Sequence, residues 1–275
     1  MITDIVMLRH GRTSMNLERR LQGQVEVPLD IIGQWQADQS GFALAQRYYW
    51  AKVSNLAAHP EQLPTPPVAA VRAVDVEEYR KAPAAARTMV VVSSDLFRAQ
   101  QTAHAFADIL GLEVHLDPRL RERSFGEWEG MTREEILARW PEDFHAWKRH
   151  EGGELAHGVE SRREVGARGA EAIRSYVRQA RDVPGEETLF VVSHGSWIVA
   201  TIATLLGMDV DDANGLDAMR NAFWSRMSLE RGADGDRWLL AEFNRGPQIA
   251  EFVDWENGPE ALRNPDMPTW KPIAG

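Results

Sequence analysis

Five side chains in this sequence have types that together could carry out a reaction. Arg9 and His10 follow an apolar run and precede Gly11, Arg98 opens a helical stretch, Glu122 follows a third strand-like stretch, and His194 lies between Ser193 and Gly195. Two guanidinium groups, two imidazoles and one carboxylate suit an anion that carries a leaving group. Phosphate is the natural fit: guanidinium binds its oxygens through fixed paired donors, and a neutral imidazole can attack phosphorus to give a phosphohistidine.

Bringing these side chains together is the task of the strands they follow. Ile5-Val6-Met7-Leu8 has the length and branching of a buried strand and stops at Arg9-His10-Gly11, where the glycine lets the backbone turn sharply and approach a ligand. Met89–Val92 is a second strand and ends in Ser93-Ser94-Asp95, before a helix whose apolar face is Ala99, Ala103, Phe106, Ala107 and Leu110 and whose stop signal is Gly111. Glu113–Leu116 and Thr188–Val192 supply the third and fourth. Asp30 can cap a helix running to about Trp50, and further helical stretches cover 133–140, 142–150, 160–181 and 197–206. Phe223–Glu230 and Arg237–Phe243 flank Gly232-Ala233-Asp234-Gly235 as a hairpin. This alternation predicts an α/β three-layer sandwich, a mainly parallel sheet with helices on both faces and an antiparallel edge addition. Ligands of such sheets collect beyond the carboxyl ends of the strands, which is where the polar residues fall.

In order along the chain, Leu8-Arg9-His10-Gly11 with Asn16, Ser94 through Ala103, Glu122 through Gly130, Gly158-Val159-Glu160-Ser161 and Ser193-His194-Gly195 resemble the histidine phosphatase (phosphoglycerate mutase-like) superfamily. Five ordered motifs make the resemblance specific, where Arg-His-Gly alone would be weak. It implies that His10 accepts the phosphoryl group, that Arg9, Arg98 and His194 bind its oxygens, and that Glu122 protonates the leaving oxygen. His10 should then be neutral and oriented by a backbone carbonyl at its other ring nitrogen. Glu122 should be raised toward proton transfer by burial and the phosphate dianion. Arg12, Asn16 and Gln22 match positions whose side chains commonly reach the phosphate, and Gly195 can add a backbone donor at a helix start. The stretch Arg123 to Gly130 and Arg20-Leu21-Gln22-Gly23 resemble the phosphatase branch, so the expectation is hydrolysis of a small phosphorylated metabolite. Phosphoglycerate mutase-type transfer is the alternative, with a bisphosphoglycerate primer needed only in that case. A phosphate-binding module without turnover is the third reading.

Length and composition fit these expectations. The 275 residues suit one domain, 1–275, with an insertion at about 51–88, a cap-like segment at about 123–158 and an irregular tail at about 245–275. Phe125, Trp128, Trp140, Phe144 and Trp147 are candidates to cover the substrate, and Trp255 and Trp270 suggest a docked tail. With 44% apolar and 26% charged residues and a formal charge of −10, the chain reads as an ordinary globular protein without a nucleic-acid or membrane surface, compatible with a homo-oligomer. Cysteine is absent, which excludes thiol chemistry and disulfides. No signal peptide is evident, so the cytoplasm is the expected location. His104, His115, His145, His150 and His157 lack metal-site spacing and read as surface or structural, and no metal is expected. Arg119, Arg121 and Arg123 read as a solvated face, with Arg123 pointing into the cleft as the alternative. Without a Gly-x-Ser-x-Gly elbow, a serine hydrolase is disfavoured.

Overall fold

A computed structural model describes residues 1–62, 87–182, 185–211, 215–232 and 235–267. Its six strands are β1 (Ile2–Arg9), β2 (Arg87–Ser93), β3 (Val114–Leu116), β4 (Glu186–Ser193), β5 (Trp224–Gly232) and β6 (Gly235–Arg245). They form one sheet in the order β3-β2-β4-β1-β5-β6. β1 to β4 pair in parallel, whereas β5 runs antiparallel to β1 and β6 antiparallel to β5. The helices are α1 (Ser14–Leu17), α2 (Ile31–Arg47), α3 (Tyr49–Ala58), α4 (Phe97–Leu110), α5 (Arg133–Arg139), α6 (Pro141–Lys148), α7 (Arg162–Gln179) and α8 (Gly195–Leu205).

Side-chain alternation along the strands divides the core into two layers. Ile5 and Met7 of β1 join Leu189 and Val191 of β4 on the face covered by α7 and α8, through Val165, Ile173, Trp197 and Ile198. Val6, Leu8, Phe190 and Val192 point the other way, onto α2, α3 and α4 through Leu44, Ala51, Ala103 and Phe106. Phe106 stacks on Phe190 with ring centroids 3.9 Å apart. Both faces are buried, which is why the central strands are continuous apolar runs. Each such side chain contributes about 1.5–3 kcal/mol by leaving water.

Local signals set the helix ends. Asp30 accepts from Gly33 N at 2.7 Å to start α2, Ser161 and Glu164 form a reciprocal capping box at α7, and Gly111 closes α4 in the left-handed region at φ 69°. The chain departs from the sequence reading after Trp50. Following a break at Tyr48, α3 continues to Ala58 with Ala51 and Ser54 buried, so the first residues assigned to the 51–88 insertion are packed helix. Residues 87–88 already belong to β2, and 63–86 lie outside the described residues.

The tail is anchored where described. Trp255 is 1% exposed, packs against Trp35 and Phe223, and donates through Nε1 to Asn221 O at 2.9 Å. Trp270 lies outside the described residues. No described helix is long and apolar enough to cross a membrane.

Candidate active site

The carboxyl ends of β1, β2 and β4 bring Arg9, Ser93 and Ser193 to one edge of the sheet, and the next residues turn into the site. His10 N bonds to Ser193 O at 3.0 Å, which couples the two histidine-bearing turns. The His10 ring is buried, and its Nδ1 donates to Gly11 O at 2.7 Å, so its lone pair is at Nε2. Burial first, then the charges of Arg98 and Arg9, hold His10 well below the ordinary histidine range, against the weaker pull of the Gly11 carbonyl. Gly11 does need to be glycine, but for packing: a Cβ there would sit 2.2 Å from Gly33 O on α2.

His194 lies beside it, with ring centroids 5.1 Å apart, and is fully buried. Burial, then Arg98, His10 and Arg9, lower its pKa well below the ordinary value, so both imidazoles are neutral. A hydroxyl chain fixes the tautomer of His194. Ser94 Oγ accepts from Leu96 N at 3.3 Å, and its own buried hydrogen needs an acceptor, which among the described residues His194 Nε2 supplies at 2.9 Å. The proton of His194 therefore sits on Nδ1, which is buried and has no partner among the described residues.

Nε of Arg9 and Nε of Arg98 share that condition in the site, as do Nε1 of Trp128 and of Trp147 in the cap-like segment. Their guanidinium groups are otherwise held by carbonyls: Arg9 Nη1 by Met219 O, and Arg98 by Val25 O at 2.8 Å and Gly23 O at 2.7 Å. Burial brings Arg98 down to about 10, partly offset by Glu122 and Glu26, and lowers Arg9 as well. Cations held by neutral carbonyls keep their charge for a ligand. An unpaired buried donor costs about 1–3 kcal/mol, a cost an incoming oxyanion removes.

Glu122 faces the start of α8. Its carboxylate accepts from Trp197 N at 3.0 Å, Ser196 N at 3.1 Å and Arg123 N at 2.8 Å. These three bonds place it on the wall of a cavity of about 1010 Å³ that also includes Arg9, His10, Arg98 and Gly195. At Gly195 a Cβ would meet Nε and Cζ of Arg9 at 3.3 and 3.4 Å, so the missing side chain gives Arg9 its place.

The accessory residues divide. Asn16 and Gln22 line the cavity. The Asn16 side-chain oxygen accepts from Thr13 N and Asn221 Nδ2, and that of Gln22 accepts from Thr13 Oγ1 at 3.0 Å, which leaves their NH2 groups available. Arg12 is not brought to the cavity. It pairs with Asp30 at 2.8 Å and donates to Glu256 O at 2.7 Å, so it ties the α2 cap to the tail. Arg123 is buried, unlike the solvated face expected of its cluster, and pairs with Glu154 at 2.9 Å, whereas Arg119 and Arg121 are partly exposed and pair with Asp117 and Asp95. Among the described residues no group of three or more His, Asp or Glu is arranged to hold a metal ion.

The cap-like segment has its own small core. Phe125, Trp128, Ile136, Trp147 and Val159 cluster together with Trp140 and Phe144 against them. Of these aromatics, Phe125 and Trp147 reach the cavity wall. His157 is structural, as expected, but more deeply set than a surface residue. It stacks on Trp128, and Glu127 and Asp143 flank its two ring nitrogens at 3.1 and 3.0 Å. Sequence reasoning missed Ser94 as a partner of His194, and Asn221, which donates to His10 O at 3.1 Å. It also missed Arg162, a cavity residue whose one local signal is the Ser161-x-x-Glu164 box that puts it in the first turn of α7.

Residues 5–55 and 75–244 match the histidine phosphatase superfamily (branch 1). The chain belongs to this superfamily. It is 33% identical over 259 residues to glucosyl-3-phosphoglycerate phosphatase from Mycolicibacterium vanbaalenii, covering 90% of this chain and 97% of that one. A probable phosphoglycerate mutase from Yersinia enterocolitica is 30% identical over 242 residues, 86% of this chain and 88% of that one. Among solved structures, a mycobacterial glucosyl-3-phosphoglycerate phosphatase in complex with VO3 superposes with a TM-score of 0.65 at 29% identity, over 89% of this chain and all of the other. The superfamily's fold, an α/β sheet with helices on both faces, is the one described above.

Proposed function

We propose that this phosphomonoester hydrolase removes the phosphate from a glycosylated phosphoglycerate, glucosyl-3-phosphoglycerate or a close analogue. The observation that carries hydrolysis of a phosphomonoester is the convergence of three buried donors without partners, Arg9 Nε, Arg98 Nε and His194 Nδ1, around the neutral His10. Preorganised donors of this kind stabilise charge on the phosphoryl oxygens in the transition state. The likeness to the mycobacterial enzymes supports the choice of substrate, as does a cavity far larger than phosphate, with Phe125 and Trp147 available to a sugar face.

In this reading His10 Nε2 attacks phosphorus in line, the ester P–O bond breaks, and Glu122 gives its proton to the departing alkoxide. Glu122 then takes a proton from water, the hydroxide attacks phosphorus, and the P–N bond breaks to release inorganic phosphate and restore neutral His10. Gly195, Asn16 and Gln22 add donors to the phosphate, and Arg12 acts through the Asp30 cap. The same reading puts the enzyme in the cytoplasm and requires neither a metal nor a bisphosphoglycerate primer.

Phosphate release from glucosyl-3-phosphoglycerate, 3-phosphoglycerate and phosphoserine, each with and without a bisphosphoglycerate primer, tests the proposal. A kcat/KM at least tenfold higher for the glycosylated compound, with no primer dependence, is expected. Primer-dependent transfer between hydroxyls of phosphoglycerate would overturn it in favour of a mutase.

A further inference from the structure

Beyond the groups that face phosphate, the cavity wall is strongly cationic, with Arg19, Arg20, Arg123, Arg133 and Arg162 set against Glu134 and Asp217. Two of these arginines are neutralised by the protein itself: Arg20 pairs with Glu18 and Glu135, and Arg123 with Glu154. Arg162 is not. It is half-buried on the wall, and burial, then the charge of Arg123, lowers its pKa against the weaker pull of Glu154 and Asp211. Among the described residues no carboxylate comes within ion-pair distance of its guanidinium, although Arg163, the next residue, pairs with Asp209 at 2.8 Å and Asp211 at 2.5 Å.

The polar neighbour Arg162 does have is the wrong kind. Its Nη1 lies 3.4 Å from His150 Nδ1, and that same nitrogen is 2.6 Å from Asp211 O. Only an N–H on Nδ1 makes the shorter contact attractive, so two donors face each other across the longer one. Arg162 is also the first residue of α7, where the helix dipole disfavours a cation. A half-buried guanidinium on the cavity wall thus has no ion-pair partner among the described residues, Glu154 and Asp211 attracting it only from beyond ion-pair distance, while the phosphate already has Arg9, Arg98 and His194.

We infer that Arg162 receives the carboxylate of the substrate and so selects phosphomonoesters that carry a second, acidic group. The inference rests on the substrate reading above and assigns the specificity within it to one residue. A paired guanidinium–carboxylate contact fits both groups, and a charge-assisted bond of this kind in a partly desolvated site corresponds to about ten- to a hundredfold in binding.

The test compares glucosyl-3-phosphoglycerate with the molecule in which its carboxylate is replaced by the primary alcohol, for wild type, Arg162→Gln and Arg162→Lys. The wild type is expected to prefer the acid, through KM. Arg162→Gln should reduce the acid-to-alcohol ratio of kcat/KM at least tenfold, and Arg162→Lys, which keeps the charge without the fork, should fall between. A wild-type preference retained in either folded variant, folding being judged by Tm, overturns the role of Arg162 and leaves the substrate reading intact. A wild type with no preference for the acid overturns the substrate reading itself. If the Gln variant does not fold, the Lys variant carries the same test.

Discussion

Ser94→Ala isolates the hydroxyl that sets the tautomer of His194. In the folded protein Leu96 N donates to Ser94 Oγ, and Ser94 Oγ–H donates to His194 Nε2, so that Nδ1 carries a hydrogen for the phosphate. Without the hydroxyl, Nε2 is a buried acceptor with no partner, at a cost of about 1–3 kcal/mol, and the neutral ring can move its proton there. Nδ1 would then present a lone pair to an anion. Loss of one preorganised oxyanion donor corresponds to about 2.7–4 kcal/mol, or a fall in kcat of about 10²–10³. The assay is phosphate release as a function of pH for wild type, Ser94→Ala and Ser94→Thr. A protonated His194 carries hydrogen on both nitrogens whatever its neighbour, so the deficit of the Ala variant should narrow toward acid pH, and Thr should restore activity near neutrality. A deficit under about threefold, or one that is the same at every pH and not rescued by Thr, would refute the reasoning.

Other consequences follow from the same geometry. Gly195→Ala puts a methyl group 3.3 Å from Arg9 Nε and should lower kcat/KM by about tenfold or more with little change in Tm, whereas an unchanged kcat/KM would show that Arg9 has room to move. His10 and His194 are held below their ordinary value of 6.5 in the folded state, so stability from them is present above about pH 6.5 and is lost as pH falls toward their folded values. The resulting fall in stability below about pH 6.5 is measurable by urea unfolding. His157 runs the other way. Burial opposes its protonation, but bonds to Asp143 and Glu127 outweigh that and raise its pKa, so its contribution is present below the unfolded value and is lost as pH rises through the folded one. Urea unfolding that is flat from pH 7 to 5.5 would contradict the neutral assignment of the two site histidines. Trp255→Ala removes a large side chain packed on Trp35 and Phe223 and should cost about 3–5 kcal/mol, read as a lowered urea midpoint, whereas a change below about 1 kcal/mol would mean the tail is not anchored there.

Arg9, His10, Arg98 and His194 were legible because each stands just after an apolar run or at a helix start, and an open parallel sheet gathers such positions at one edge, whereas Glu122 was legible from the ordered motif running to Gly130. The two-layer core was legible for the same reason, from runs too apolar for a half-exposed strand. The partners of Arg12 were not legible because they are not local. Asp30 lies 18 positions away and Glu256 lies 244, and nothing near Arg12 reports either. The helix past Trp50 was missed because the sequence reading ended the first helix at about Trp50, whereas Ala51 packs against the α4 side of the sheet. Arg162 gave no chemical signal because its significance is that no described carboxylate lies within ion-pair distance, a property of the folded surroundings and not of the flanking residues.

The central claim is that His10 carries the phosphoryl group between substrate and water. It is tested most directly by quenching the enzyme in base during turnover of a substrate with radiolabelled phosphate and mapping the label. An acid-labile, base-stable adduct is expected on the peptide containing His10, absent from His10→Ala together with its phosphatase activity. Turnover without any such adduct, or a His10→Ala enzyme as active as wild type, would contradict it.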